Sequence, residues 1–133
     1  MTATGTVTIQ GFSHVAIVAS DVDEARRFYC DVLGFEELPR PDFSVPGMWL
    51  RVGDLQLHII GLDESGASAG ARHFALHVPT DALHDTVNAL REAGVHVRSE
   101  PSSRVDFGTT VWAANITDPF GNVIELTDVG PLV

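Results

Sequence analysis

The feature that most restricts the fold of this chain is an internal repeat. FSHVAIVASDVDEARRFYCDVLGFEEL, starting at Phe12, aligns with RHFALHVPTDALHDTVNALREAGVHVR, starting at Arg72, with one gap. His14 falls on His73, Ala16 on Ala75, Ile17 on Leu76 and Gly34 on Gly94. Further along, GDLQLHII lies against FGNVIELT, which puts Leu57 on Ile124 and His58 on Glu125. A duplication of this kind means one supersecondary unit written twice, with each residue read against its counterpart.

The unit can be read from its periodicities. In each copy an alternating strand (about 12–19 and 72–79) precedes a run with apolar residues at helical spacing (about 22–33 and 82–93). Ala25, Phe28, Tyr29 and Val32 form the apolar stripe of the first run, and Leu83, Val87 and Leu90 that of the second. Asp21 stands where it can cap the first helix, and Thr80 or Asp81 where they can cap the second, while Gly34 and Gly94 supply the stops. Three strand-like runs follow in each copy: FEELPR, GMWLRVG and LQLHII, then VHVRSE, TTVWAANIT and NVIELTD. The expected fold is α+β. Two tandem βαβββ modules (about 11–61 and 72–128) form a cupped, barrel-like mixed sheet with helices outside, within one domain spanning 1–133. The stretch 62–71, rich in small and polar residues, is the expected linker.

Composition narrows the partners. The formal charge is −10, and all eight basic residues are arginines because the chain has no lysine. Nucleic acid and an anionic membrane surface are disfavoured as partners. Schiff-base lysine chemistry and a lysine-bearing phosphate loop are excluded. The single cysteine, Cys30, permits neither an intramolecular disulfide nor a CxxC site and is expected to be a buried, inert thiol. No apolar run approaches the roughly 20 residues that span a bilayer, and the N-terminus does not read as a targeting segment, so a cytoplasmic location is expected.

Strand alternation sorts the polar residues. His14 and Ala16 share one face of their strand, Gln56 and His58 one face of theirs; His73, Ala75 and His77 do the same, as do Val123, Glu125 and Thr127. The other faces are apolar and fit to pack under a helix. If pseudo-twofold symmetry joins the polar faces into a trough, His14, His58, His73 and Glu125 take corresponding places in it. Imidazoles and a carboxylate are ligands for a divalent first-row metal, and a site with few protein ligands leaves positions open for substrate or water. His58 is the member that a three-ligand site can spare, and it is then available as a base or supporting donor.

Other residues are placed near this trough. Trp49, Arg51, Phe107 and Trp112 lie on or before the third strands, where they can wall it, although core packing is the commoner role for tryptophan. His77 is about 13 Å from His73 along the strand, which suits a substrate contact and not the same metal. His84 and His96 are expected on the solvated surface. DPFGN, Asp118 to Asn122, reads as a turn with Gly121 at positive φ that aims Glu125.

With these motifs in order, the chain resembles the vicinal oxygen chelate superfamily, which includes glyoxalase I, extradiol dioxygenases, methylmalonyl-CoA epimerase, fosfomycin-resistance enzymes and bleomycin-resistance proteins. The resemblance covers about residues 11–128 and rests on FSHVAIVASDVDEARRFYCDVLGF, RHFALHV and DPFGNVIELTD. It implies paired βαβββ modules around one divalent metal (zinc, nickel, iron, manganese or cobalt) that chelates neighbouring substrate oxygens. His14, His73 and Glu125 take the ligand places, with His58 in the slot where glyoxalase I usually carries glutamate. The expected activity is a glyoxalase-like lyase or isomerase acting on a small vicinal-oxygen substrate, with Glu125 or His58 moving a proton. The alternatives are an extradiol-type dioxygenase, whose chains are commonly about twice this length, and a non-catalytic binding protein of the bleomycin-resistance kind. Exposed strand edges favour a homodimer.

Overall fold

The structure is a computed structural model describing residues 8, 10, 12–63, 72–106 and 108–130. Phe107 and most of the expected linker lie outside the described residues. Among the described residues, eight strands and two main helices follow the order implied by the repeat: β1 (His14–Ala19), α1 (Val22–Arg26), β2 (Glu36–Leu38), β3 (Gly47–Val52), β4 (Leu55–Gly61), β5 (His73–His77), α2 (Leu83–Glu92), β6 (His96–Asp106), β7 (Thr109–Thr117) and β8 (Val123–Thr127). They build two four-stranded mixed sheets with the same topology, β1-β4-β3-β2 and β5-β8-β7-β6. The first and last strands of each unit run parallel, β1 with β4 and β5 with β8, because the helix between them supplies the crossover. The repeat is therefore visible as two open half-sheets, each with its own edges.

One apolar cluster holds the halves. Phe28, Tyr29, Leu50 and Ile59 from the first unit and Leu83, Val87, Ile116 and Ile124 from the second belong to it, and all are buried. Polar contacts reinforce the junction. The Tyr29 hydroxyl donates to Asp118 Oδ2 at 2.7 Å, and the Asn122 side-chain amide donates to the carbonyl of Val18 at 3.1 Å. Asp118 also accepts from the backbone N–H groups of Phe120 and Asn122, which closes the DPFGN turn around one buried carboxylate. Gly121 has φ of 86°, as a turn of this shape requires.

The helices depart from simple expectation in informative ways. Asp21 caps α1, its carboxylate accepting from the N–H of Glu24 at 3.0 Å. Beyond Arg26 the helix widens into a π-helical segment, Arg27–Val32, in which the N–H of Leu33 reaches back to the carbonyl of Phe28. The wider turn rotates the stripe by one residue. Val32 is exposed and Leu33 packs on the core in its place. Cys30 is only half-buried for the same reason of helix rotation. The second helix opens through a 3₁₀ turn, Thr80–Ala82, without a side-chain cap; Thr80 Oγ1 instead donates to Asp128 at 2.7 Å. Strand β6 runs well past the expected VHVRSE segment. Two register shifts against β7, one of them spanning Pro101, let the ladder continue where a proline would otherwise end it.

Candidate metal centre and substrate trough

The ladders decide which side chains share a face. In the first sheet His14 stands beside Gln56 and Ala16 beside His58, while Trp49 lies opposite His58 and Arg51 opposite Gln56. The result is a continuous polar and aromatic surface on the side away from the core. His14 and His58 stack with ring centroids 3.9 Å apart, and Trp49 stacks on His58 at 4.4 Å and nearly parallel. These rings line a cavity of about 540 Å³ that Ser13, Arg40, Phe43 and Gln56 also border.

Within the stack the two imidazoles are held differently. His14 Nδ1 lies 3.0 Å from Ser13 Oγ, and its Nε2 has no hydrogen-bond partner among the described residues. Such a partner on one ring nitrogen orients the other for a ligand role. His58 Nε2 lies 2.8 Å from Gln56 Oε1, an oxygen that only accepts, so Nε2 carries the proton and Nδ1 the lone pair. Burial, together with the neighbouring His14 and the Arg40 charge, pulls His58 below its ordinary pKa. The ring is neutral at physiological pH.

The second sheet carries the matching face. Ala75 stands beside Glu125, His77 beside Thr127, and Asn115 opposite Glu125. His73 Nε2 lies 3.5 Å from Glu125 Oε1, with both side chains partly open to solvent. Two donors each about 2.1 Å from one tetrahedral ion are separated by about 3.4 Å, so this pair has the spacing of metal ligands. Asn115 Nδ2 is turned to Ser99 Oγ at 2.9 Å.

The expected residues divide as follows. His14 and His58 come together on one half-sheet, His73 and Glu125 on the other. Among the described residues no three His, Cys, Asp or Glu side chains gather closely enough to hold one ion. The donor chemistry of His14, His73 and Glu125 fits a divalent metal; the sandwiched, Gln56-bonded ring of His58 fits a wall or base better than a ligand.

Of the expected pocket residues that are described, Trp49 alone lines the cavity. Arg51 shares the face but gives its guanidinium to Glu36 at 2.9 Å in an exposed pair. Trp112 alternates onto the opposite face with Ala114 and Ile116, packing on the core and meeting His84 edge-on at 5.3 Å. His77 sits toward the chain end beside Thr127 and Gly130. Ser13, Arg40 and Phe43 escaped the sequence reading, whereas Gln56 belongs to the polar face that strand alternation marks beside His58; the one available signal for the others was an arginine and a phenylalanine in a proline-bracketed loop, PRPDFSVP.

Paired βαβββ half-sheets with histidines on the first strands and a carboxylate on the last strand define a two-module scaffold whose polar faces carry metal-ligand chemistry. The chain belongs to the glyoxalase/bleomycin resistance protein/dioxygenase superfamily, whose model matches residues 11–126. It is 33% identical over 123 residues to a probable lactoylglutathione lyase of Synechocystis sp., covering 85% of this chain and 91% of that one. It is 28% identical to the mitochondrial methylmalonyl-CoA epimerase of Bos taurus, covering 86% of this chain and 71% of the epimerase. A crystal structure of a glyoxalase/bleomycin resistance protein/dioxygenase from Alicyclobacillus acidocaldarius superposes with a TM-score of 0.68 at 27% identity, covering 86% and 87% of the two chains. No helix among the described residues is long and apolar enough to cross a membrane.

Proposed function

We propose that this chain is a metal-dependent lyase or isomerase of the glyoxalase type, acting on a small substrate with two neighbouring oxygens. The observation that carries the proposal is the 3.5 Å approach of His73 Nε2 to Glu125 Oε1, with His14 at the repeat-equivalent place and its Nε2 unbonded among the described residues. His14, His73 and Glu125 hold the ion. Because His14 and the His73–Glu125 pair stand on separate half-sheets, a second copy of the chain completes the set by bringing its own half-sheet opposite, which makes the working unit a homodimer. A bound divalent ion polarises substrate oxygens as a Lewis acid.

The chain's own groups do the rest. His58, a lining residue of the cavity with its proton on Nε2, accepts a proton at Nδ1 from the carbon beside a polarised carbonyl and returns it to the neighbouring atom. Gln56 keeps the ring in the required tautomer. Trp49 and Phe43 form an apolar wall on one side of the trough. The relatives named as a lyase and an epimerase support this class over oxygen insertion.

Elemental analysis of protein purified without chelator tests the reading. About one divalent ion per chain is expected, lost in Glu125→Ala and His73→Ala, with activity toward α-keto thiol adducts or acyl thioesters that survives exchange to zinc, nickel or cobalt. Equally low metal in wild type and both variants after reconstitution makes the chain a metal-free binding protein. Rapid oxygen uptake with a catechol after ferrous loading, abolished by zinc, makes it a dioxygenase.

A further inference from the structure

The cavity on the first half-sheet has an aromatic wall and one cation at its edge. Phe43, Trp49, His58 and His14 are successive ring neighbours, with centroids 6.2, 4.4 and 3.9 Å apart. Arg40 borders the same space, its Cζ 4.8 Å above the centre of the Phe43 ring and its Nη2 donating to the Val45 carbonyl at 2.8 Å. Gly47 makes room for this placement. A Cβ there would lie 2.4 Å from the Ile59 carbonyl oxygen and 3.0 Å from Arg40 Nη2.

The charge of Arg40 is uncommitted. Arg26, Arg51, Arg91 and Arg104 each meet a carboxylate, whereas Arg40 has none within 4 Å among the described residues. A guanidinium offers five N–H donors, and the Val45 carbonyl engages one group of them. In a chain of net charge −10, a cation pinned over an aromatic ring at a cavity wall, in no ion pair although Asp21, Asp23 and Asp42 border the adjoining cavity with it, has the makings of an anion-recognition point.

We infer that Arg40 determines specificity by binding the carboxylate of a small organic acid, whose planar apolar body lies against Phe43 and Trp49. The inference rests on the trough being the substrate site, but it requires no metal.

Calorimetric titration of the chelator-treated full chain with 3-phenylpropanoate and with its neutral amide tests it. The acid is expected to bind at least tenfold more tightly than the amide. Arg40→Gln should remove that difference while leaving amide affinity unchanged, and Arg40→Lys, which keeps the charge, should restore part of it. Equal affinity for acid and amide in the wild type, no measurable binding of either, or a difference that persists in Arg40→Gln overturns the inference. The wild-type comparison decides even if a variant does not fold. Metal content measured on the same protein before chelation and after reconstitution separates the two readings: acid selectivity in a protein that never takes metal sinks the enzyme and leaves Arg40 standing.

Discussion

Tyr29 and Asp118, 89 residues apart in sequence, meet in a buried hydrogen bond of 2.7 Å that ties the first helix to the turn before β8. Burial, and then the adjacent carboxylate, push the Tyr29 hydroxyl far above its ordinary pKa, which keeps it the donor of this bond. The same Asp118 organises the turn that sets where Glu125 emerges.

Tyr29→Phe should therefore cost about 1–3 kcal/mol of stability, the range for a buried donor lost to a carboxylate acceptor. Asp118→Ala should cost more, since it also strands the N–H groups of Phe120 and Asn122. Urea unfolding of both variants and the double variant checks this. A double-variant loss equal to the sum of the singles would mean that the two residues do not interact.

If His14 of one chain works with His73 and Glu125 of another, two defective variants can repair each other. His14→Ala and Glu125→Ala, each metal-poor alone, should regain about a quarter of wild-type metal after unfolding and refolding as an equal mixture, because half the dimers are mixed and each of those holds one intact site. No recovery would place the whole ligand set within one chain.

His58→Ala should leave metal content intact and lower turnover by 10²–10⁴-fold, the usual range for loss of a general base. Gln56→Ala should have a smaller effect of the same kind by releasing the ring tautomer. Metal loss in His58→Ala would make it a ligand after all.

Asp128 accepts from the N–H of Trp112 at 2.8 Å and from Thr80 Oγ1 at 2.7 Å, and these bonds, the first above all, hold its pKa below the ordinary carboxyl value. A carboxylate depressed on folding adds stability that is full above the unfolded pKa of about 3.9 and disappears as pH falls through the folded value. Asp128→Asn should be less stable than wild type at pH 7, with the gap closing below about pH 4. Thermal melts across that range check the sign.

Local pattern alone determined the repeat, the βαβββ order, the Asp21 cap, the positive-φ turn at Gly121 and the parity that sets His14, His58, His73 and Glu125 on polar strand faces. These are readable because side-chain alternation and helical spacing are properties of the backbone, copied faithfully into residue order. What lay beyond them depended on contacts between distant segments. The π-helical widening that replaces Val32 with Leu33 follows from how the helix packs on its sheet. The pairing of Arg51 with Glu36 required the β2–β3 ladder. The turn of Trp112 toward α2 needed the true register of β7. Arg40 reaches the cavity because a loop folds over Phe43 and Gly47 leaves it space, and no periodicity marks a loop. The division of the proposed ligands between two half-sheets is likewise a tertiary fact: symmetry in the sequence says which residues correspond, and only the packing of the sheets decides which of them meet.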